Sequence, residues 1–319
     1  MHPDTARELK ARILQFLHTV PPVAHQADGT RRRPRIAVGL APAGSGRARV
    51  AVRLEHAGDR ALLPDLPRAA EDEVELRVIG RVLALPGTPT ELQRIVRPLR
   101  PGLSIAHTSV TAGTLGGFVR SAGRLAVLSN NHVLAASDAG IVGDPVLQPG
   151  PADGGITADR VAELSGFVPL RADAPNLVDA AVAVLDDGVD ADPSAVPEGP
   201  LSDAVVQATE IDPDERVEKI GRTTGHTVGR ISAVEVDGVV VQYDSGVRSF
   251  DDQIEIEGLT GAFSAGGDSG SVIWRSADRA PLGLLFAGST EGGSAGGGVT
   301  FANPLTTVLA ALDLRWVSS

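Results

Sequence analysis

The sequence predicts a mainly β chain preceded by a small α+β segment, and three observations predict it. Valine, alanine, leucine and glycine dominate, with 37 glycines among 319 residues, a balance suited to short strands joined by glycine turns. Apolar and polar residues alternate through Arg49-Val50-Ala51-Val52-Arg53-Leu54 and through Glu73-Val74-Glu75-Leu76-Arg77-Val78, as half-buried strands require. A helical apolar period occurs at the start of the chain, ahead of these strands.

That helix is expected over residues 5–20. Thr5 and Glu8 have capping-box spacing, and Leu9, Ile13, Phe16, Leu17 and Val20 then recur on one face before Pro21-Pro22 stops the helix. Its apolar stripe must be covered by its own chain or by a second copy in a homo-oligomer. Strands are expected at residues 36–40, 49–54 and 74–85. Pro98 and Pro101 punctuate residues 97–102, read as a linker. Residues 1–103 thus form the α+β preface, and residues 104–319 the main β domain, with a first lobe at about 104–200 and a second at about 201–319.

Within that domain, residues 112–119 form the expected first strand. Residues 186–198 are an acidic loop between lobes, without the ligand spacing of a calcium loop. Residues 230–235 and 238–243 are expected to form a hairpin across Asp237-Gly238. Asn303 is expected to cap a last helix with Pro304 at its first position, and Leu305, Val308, Leu309 and Leu312 supply its buried face.

One stretch carries chemistry. Gly266-Gly267-Asp268-Ser269-Gly270-Ser271 leads into the apolar run Val272-Ile273-Trp274. Glycine permits backbone conformations closed to other residues, so a serine there can present its hydroxyl while neighbouring N–H groups face a developing oxyanion. Serine is a poor nucleophile without a base. His132 ends the run Ala126-Val127-Leu128-Ser129-Asn130-Asn131, and Asp179 begins Asp179-Ala180-Ala181-Val182-Ala183. The order His, Asp, Ser is that of one of the known serine-nucleophile triads. His226 is a rival base, and Asp173, Asp186 and Asp187 are rival acids. Of these acids only Asp179 opens an apolar strand that would bury it.

Ser129-Asn130-Asn131-His132-Val133-Leu134, Asp179-Ala180-Ala181-Val182-Ala183, Gly267-Asp268-Ser269-Gly270-Ser271 and Gly221-Arg222-Thr223-Thr224-Gly225-His226-Thr227-Val228-Gly229 together resemble the motifs of trypsin-like (chymotrypsin-clan) serine peptidases of the bacterial kind. The pattern is similar to that of the group related to the plant narrow-leaf protein, over about residues 104–315. The resemblance implies two six-stranded Greek-key barrels of the chymotrypsin type. It also implies a serine endopeptidase acting on protein or peptide substrates through His132, Asp179 and Ser269, with no cofactor and no metal. It places the oxyanion hole at the N–H groups of Gly267 and Ser269, and the substrate pocket at Phe263, Ser264, Ala287 and Gly288. A catalytically silent peptide-binding module on the same fold, or an esterase using the same triad, are the alternatives. In secreted relatives a cleaved apolar N-terminus pairs with the acid before the nucleophile. No such start precedes the barrel here, so Asp268 must find another partner.

A formal charge of −11 argues against non-specific nucleic-acid binding, which relies on basic patches. The basic run Arg31-Arg32-Arg33-Pro34-Arg35 is expected to be solvated. With no cysteine, the core must hold without disulfides. No apolar run is long enough to span a membrane. Met1-His2-Pro3-Asp4-Thr5-Ala6-Arg7-Glu8 carries acids and no apolar signal core, so the expected compartment is the cytoplasm.

Overall fold

The computed structural model describes every residue except 25–30, 33, 45, 65–72, 84–90 and 296. The chain opens with α1 (Pro3–Thr19). His2 caps it, its Nδ1 accepting from the Asp4 N–H at 3.3 Å, so the helix starts two residues before Thr5, with Pro3 where a missing N–H costs nothing. The helix buries Ala6, Leu9, Lys10 and Ile13 and leaves Phe16 41% exposed. The short strands β1 (Val23–Ala24) and β2 (Arg31–Arg32) pair antiparallel. Next come β3 (Ile36–Pro42), β4 (Ala48–Leu54), β5 (Val74–Val78) and β6 (Val82–Leu83). The strand expected at 74–85 divides at Gly80, whose φ is +68°, and residues 84 and 85 lie outside the described ones. Leu9 and Ile13 of the α1 stripe pack on their own chain, against Val38, Leu40, Val50 and Val52, while Phe16 stays exposed.

The first lobe contains β7 (Ser104–His107), β8 (Gly113–Thr114), β9 (Gly117–Ser121), β10 (Arg124–Ser129), the single turn α2 (Asn131–Leu134), β11 (Pro145–Leu147), β12 (Arg160–Phe167) and β13 (Ala181–Leu185). Its sheet runs β9-β10-β13-β12-β11-β7-β8 and curls without closing. Residues 97–102, read as a linker, are packed into this lobe. The backbone of Leu99 bonds to Asp190 O (2.8 Å) and Asp192 N (2.7 Å), and its side chain is buried in the lobe core. Apolar Leu92, Leu99 and Leu103, standing among the prolines, account for the difference.

The second lobe closes. It is built from β14 (Arg216–Gly221), β15 (Gly225–Asp237), the pair β16 (Val239–Tyr243) and β17 (Gly246–Phe250), β18 (Gln253–Gly258), β19 (Val272–Arg275), β20 (Pro281–Gly292) and β21 (Gly298–Pro304). Pairings run β14-β15-β18-β21-β20-β19 and return from β19 to β14, a six-stranded barrel around Val217, Ile231, Ile254, Ile256, Ile273 and Leu285. The helix α3 (Leu305–Ala311) and β22 (Arg315–Val317) follow, β22 crossing back to pair with β9 of the first lobe. A mainly β, two-lobed chain with a helix ahead of it is therefore what the chain forms, and of the two six-stranded barrels expected only the second closes, the first lobe remaining a curled sheet.

Two local expectations are corrected. β15 and β16 do not pair across Asp237-Gly238, because β3 occupies that edge of β15 at Val234↔Leu40 and Asp237↔Val38. β16 pairs instead with β17. Nor does Asn303 cap α3. Pro304 holds the cap position, and the Asn303 side chain is engaged elsewhere.

β18 shows why the preface is bound so closely. Its sequence Gln253-Ile254-Glu255-Ile256-Glu257 alternates, and all of it is buried. Ile254 and Ile256 fill the barrel, so Glu255 and Glu257 point outward and need cations once covered. The preface provides them. Arg53 lies 2.8 Å from Glu255, both side chains with zero exposure, and Arg77 pairs with Glu257. Burial lowers the proton affinity of the Arg53 guanidinium, but Glu255 and Glu75 more than restore it. Removing one partner from such a pair costs about 3–5 kcal/mol. Arg53→Met should therefore lower unfolding free energy by roughly that amount in chemical denaturation, and adding Glu255→Leu should recover part of the loss.

The seam between α1 and β15 is acidic. Arg7 and Lys10 reach Glu235 (2.7 Å) and Asp237 (2.8 Å). Asp252, also at this seam, has its carboxyl pushed up by desolvation and by Asp237 and Glu235. A carboxylate whose folded value is raised costs stability while ionised. The cost fades as pH falls through the raised value towards the ordinary one near 3.8. Asp252→Asn should thus melt higher than wild type at pH 7, with the gap closing as pH falls through that window in paired melting curves.

Candidate active site

The turn bearing Ser269 is shaped by its glycines and by Asp268. Gly267 and Gly270 have φ of +89° and +94°, a region that strains residues with a Cβ. At Gly270 a Cβ would meet Thr114 O at 2.4 Å and Ser129 Oγ at 2.0 Å. The turn is therefore pressed against the first lobe. Thr114 N donates to Ser269 O (2.8 Å), Thr114 Oγ1 donates to Gly267 O (2.8 Å), and Ser129 Oγ donates to Thr114 O (2.7 Å). Ser129 is three residues before His132.

Asp268, wholly buried, has the partner the sequence did not reveal. Its Oδ1 accepts from the N–H groups of Thr223 (2.9 Å) and Thr224 (3.2 Å). Its Oδ2 accepts from Thr224 Oγ1 (2.6 Å), Ala265 N (3.0 Å) and Lys219 Nζ (3.1 Å). Lys219, on β14, is also wholly buried. Desolvation lowers its proton affinity, with Asp268 opposing.

The Asp268 N–H is spent on Ala265 O (3.0 Å). Among the described residues the flanking N–H groups of Gly267 and Ser269 donate to no protein acceptor, leaving two free donors, one on each side of it. Ser269 Oγ donates to Phe286 O at 3.5 Å, and among the described residues no hydrogen bond joins it to His132.

His132 sits on α2, and its Nδ1 lies 2.6 Å from Asp179 Oδ2. The His132 N–H donates to the other carboxylate oxygen at 3.2 Å. Asp179 has zero side-chain exposure and His132 13%. The acid is held from several sides. Asn130 Nδ2 donates to Asp179 O (2.7 Å), the Asp179 N–H donates to Asn303 Oδ1 (3.0 Å), and Tyr243 Oη donates to Asp179 Oδ2 (2.7 Å). Burial, then the charge of Asp179, pushes the Tyr243 hydroxyl well above its ordinary value, so it stays a donor.

His226, Asp173 and Asp186 are engaged elsewhere, and Asp187 is exposed. His226 Nε2 lies 2.7 Å from Glu218 and its ring stacks on Trp274 at 5.9 Å. Asp173 faces Arg171 and Asp186 faces Arg160. Of the residues expected at the pocket, Phe263 packs into the barrel core with Val217, Ile231 and Ile256, and its carbonyl accepts from Thr227 Oγ1 at 2.8 Å. Ser264 Oγ is 2.7 Å from Thr300 Oγ1. Ala287 and Gly288 lie on β20, one and two residues beyond Phe286, and both are buried. A cavity of about 530 Å³ lies away from these residues, lined by Arg7, Leu40, Asp212, Glu235 and Asp252 among others. Among the described residues no cluster suited to a metal ion is formed.

Sequence reasoning missed Lys219, Tyr243 and the role of Asn303. Lys219 is one of two lysines and Tyr243 the single tyrosine. A lysine in the otherwise half-apolar strand Val217-Glu218-Lys219-Ile220 was a signal that a buried anion awaited it.

No family model matches the chain, and none of the curated proteins matches it in sequence. Among solved structures it is similar to Thermobifida fusca protease A, at 17% identity and a TM-score of 0.48, covering 69% of this chain and all of that one. A glutamic-acid-specific serine protease aligns at 20% identity and a TM-score of 0.49, and Nocardiopsis protease at 19% and 0.48. Each of these two also covers 69% of this chain and all of the other.

The Lys219–Asp268 pair yields a prediction. Lys219→Met leaves a buried carboxylate without its cation, which should cost about 3–5 kcal/mol. Denaturation read by Trp fluorescence checks this; an unchanged midpoint would show Asp268 satisfied by Thr223, Thr224 and Ala265 alone.

Proposed function

We propose that the chain is a serine endopeptidase in which Ser269 is the nucleophile, His132 the general base and Asp179 the acid that orients it. The observation that carries this reading is the buried Asp179 carboxylate, held by the Tyr243 hydroxyl and the His132 N–H, with His132 Nδ1 at 2.6 Å. That contact fixes the tautomer with the proton on Nδ1, leaving Nε2 free to take a proton. Ser269 Oγ, resting on a carbonyl at 3.5 Å, is only loosely held. For attack it must turn from that carbonyl to His132 Nε2, and nucleophile–base contacts of that kind close when substrate arrives.

In the reaction Ser269 Oγ attacks the scissile carbonyl carbon as its proton passes to His132 Nε2. The carbonyl oxygen becomes an oxyanion facing the free N–H groups of Gly267 and Ser269. Collapse of the tetrahedral species expels the amine, protonated by His132, and leaves an ester on Ser269. Water then adds to the ester carbon as its proton passes to His132 Nε2, and collapse breaks the bond to Ser269 Oγ, which takes that proton back as the acid product leaves. One oxyanion donor is worth about 2.7–4 kcal/mol of barrier, which is why the turn is built to leave two free.

For specificity, Ser264, Ala287 and Gly288 offer no carboxylate, and Phe263 contributes bulk to the core behind them. A basic side chain there would be desolvated without a partner, so the expected substrates are peptides cleaved after uncharged, small to medium apolar residues. The segment Gly221-Arg222-Thr223-Thr224-Gly225 supports kinship with the bacterial group related to the plant narrow-leaf protein.

Wild type should be labelled by a fluorophosphonate probe and should cleave a mixed peptide library. Ser269→Ala and His132→Ala should each abolish cleavage, and Ser269→Ala should abolish labelling. Label retained on Ser269→Ala, or a dominant preference for Arg or Lys, would contradict the respective assignment.

A further inference from the structure

We infer that Tyr243 is a positioning residue for the Asp179–His132 pair, acting on the oxygen through which the acid holds the base. The inference rests on the reading of those two residues as orienting acid and base.

A buried phenol needs a partner for its hydroxyl, and the structure gives this one an oxygen with another occupant. Asp179 Oδ2 accepts from Tyr243 Oη at 2.7 Å and from His132 Nδ1 at 2.6 Å, while Oδ1 accepts the His132 N–H at 3.2 Å. Two donors converging on one oxygen and a third on the other leave the carboxylate no free rotation. The rings of Tyr243 and His132 lie 5.5 Å apart at 53°, so the phenol also bounds the space into which the imidazole could swing.

Tyr243 comes from outside the closed barrel. It ends β16, which pairs with β17 and, in parallel, with β6 at Gln242↔Leu83. β6 in turn pairs with β20 at Gly288↔Leu83 and Ser289↔Val82, two residues beyond the carbonyl that receives Ser269 Oγ. On its other side the hairpin is tied to the first lobe, where Asn176 N donates to Ser249 O at 2.8 Å and Arg248 Nε donates to Leu170 O at 3.1 Å. A strand of the preface and a loop of the first lobe thus fix the phenol against the acid.

The test is Tyr243→Phe in the full chain, which keeps the ring packed beside Phe250 at 6.3 Å and removes only the hydroxyl. Two readouts are taken, the His132 Nδ1 proton resonance and the rate of fluorophosphonate labelling. With its second donor gone, Oδ2 accepts more strongly from His132, so the proton resonance should move downfield. Labelling should slow by about tenfold, the scale of one hydrogen bond to a charged group. Thermal melting is recorded alongside, because a lost bond lowers stability in any case and does not discriminate. An unmoved resonance with a wild-type labelling rate overturns the inference, even if the melting point falls. A moved resonance in a protein whose wild type never labels upholds the positioning role and refutes the peptidase reading instead.

Discussion

The Asp268 carboxylate is a negative group in the interior, immediately before Ser269, and the surrounding structure is arranged to answer it. An unpaired charge there would be prohibitively costly. Two threonine N–H groups, one threonine hydroxyl, the Ala265 N–H and the Lys219 ammonium meet it. Those donors fix the carboxylate, the carboxylate fixes the turn, and the turn leaves the Gly267 and Ser269 N–H groups unspent. Because the cation is supplied by β14 of the same barrel, the loop takes its shape when the barrel folds, with no cleaved end required to insert beside it.

A second polar layer joins the lobes. The Asp179 N–H bonds to Asn303, Asn303 Nδ2 donates to Gln253 Oε1 (2.6 Å), and Gln253 Nε2 donates to Leu177 O (3.0 Å). Asn303 and Gln253 belong to strands of the closed barrel, whereas Asp179 and Leu177 belong to the first lobe. The acid is therefore hung from the opposite lobe, and a shift between lobes would be felt at the imidazole. Buried networks of this kind are rigid only when every member is satisfied, as these members are.

Much of this was legible in the sequence because it is local. The glycine turn, the strand opening at Asp179 and the run ending at His132 each declare themselves within a few residues. The supports do not. Lys219 and Asp268 are 49 residues apart, Tyr243 and Asp179 64, and Asn303 and Asp179 124. Asn303 followed by Pro304 reads as a helix cap because local rules see only the next turn, while the buried N–H that claims it lies in the other lobe. Asp237-Gly238 reads as a hairpin for the same reason: nothing nearby shows that the edge of β15 is taken by β3. Phe263, expected at the pocket from the resemblance alone, is drawn into the barrel core by its hydrophobicity.

The Arg53–Glu255 pair spans 202 residues, and this has a consequence for how the chain is made. At about 5–20 residues per second, a ribosome needs roughly 10–40 s to travel from one partner to the other. Until that interval ends Arg53 has Glu75 but not Glu255, and the edge of β3 lacks Val234. The preface is thus made before the lobe that completes it, and its strands reach their full set of partners only once the closed barrel has been synthesised.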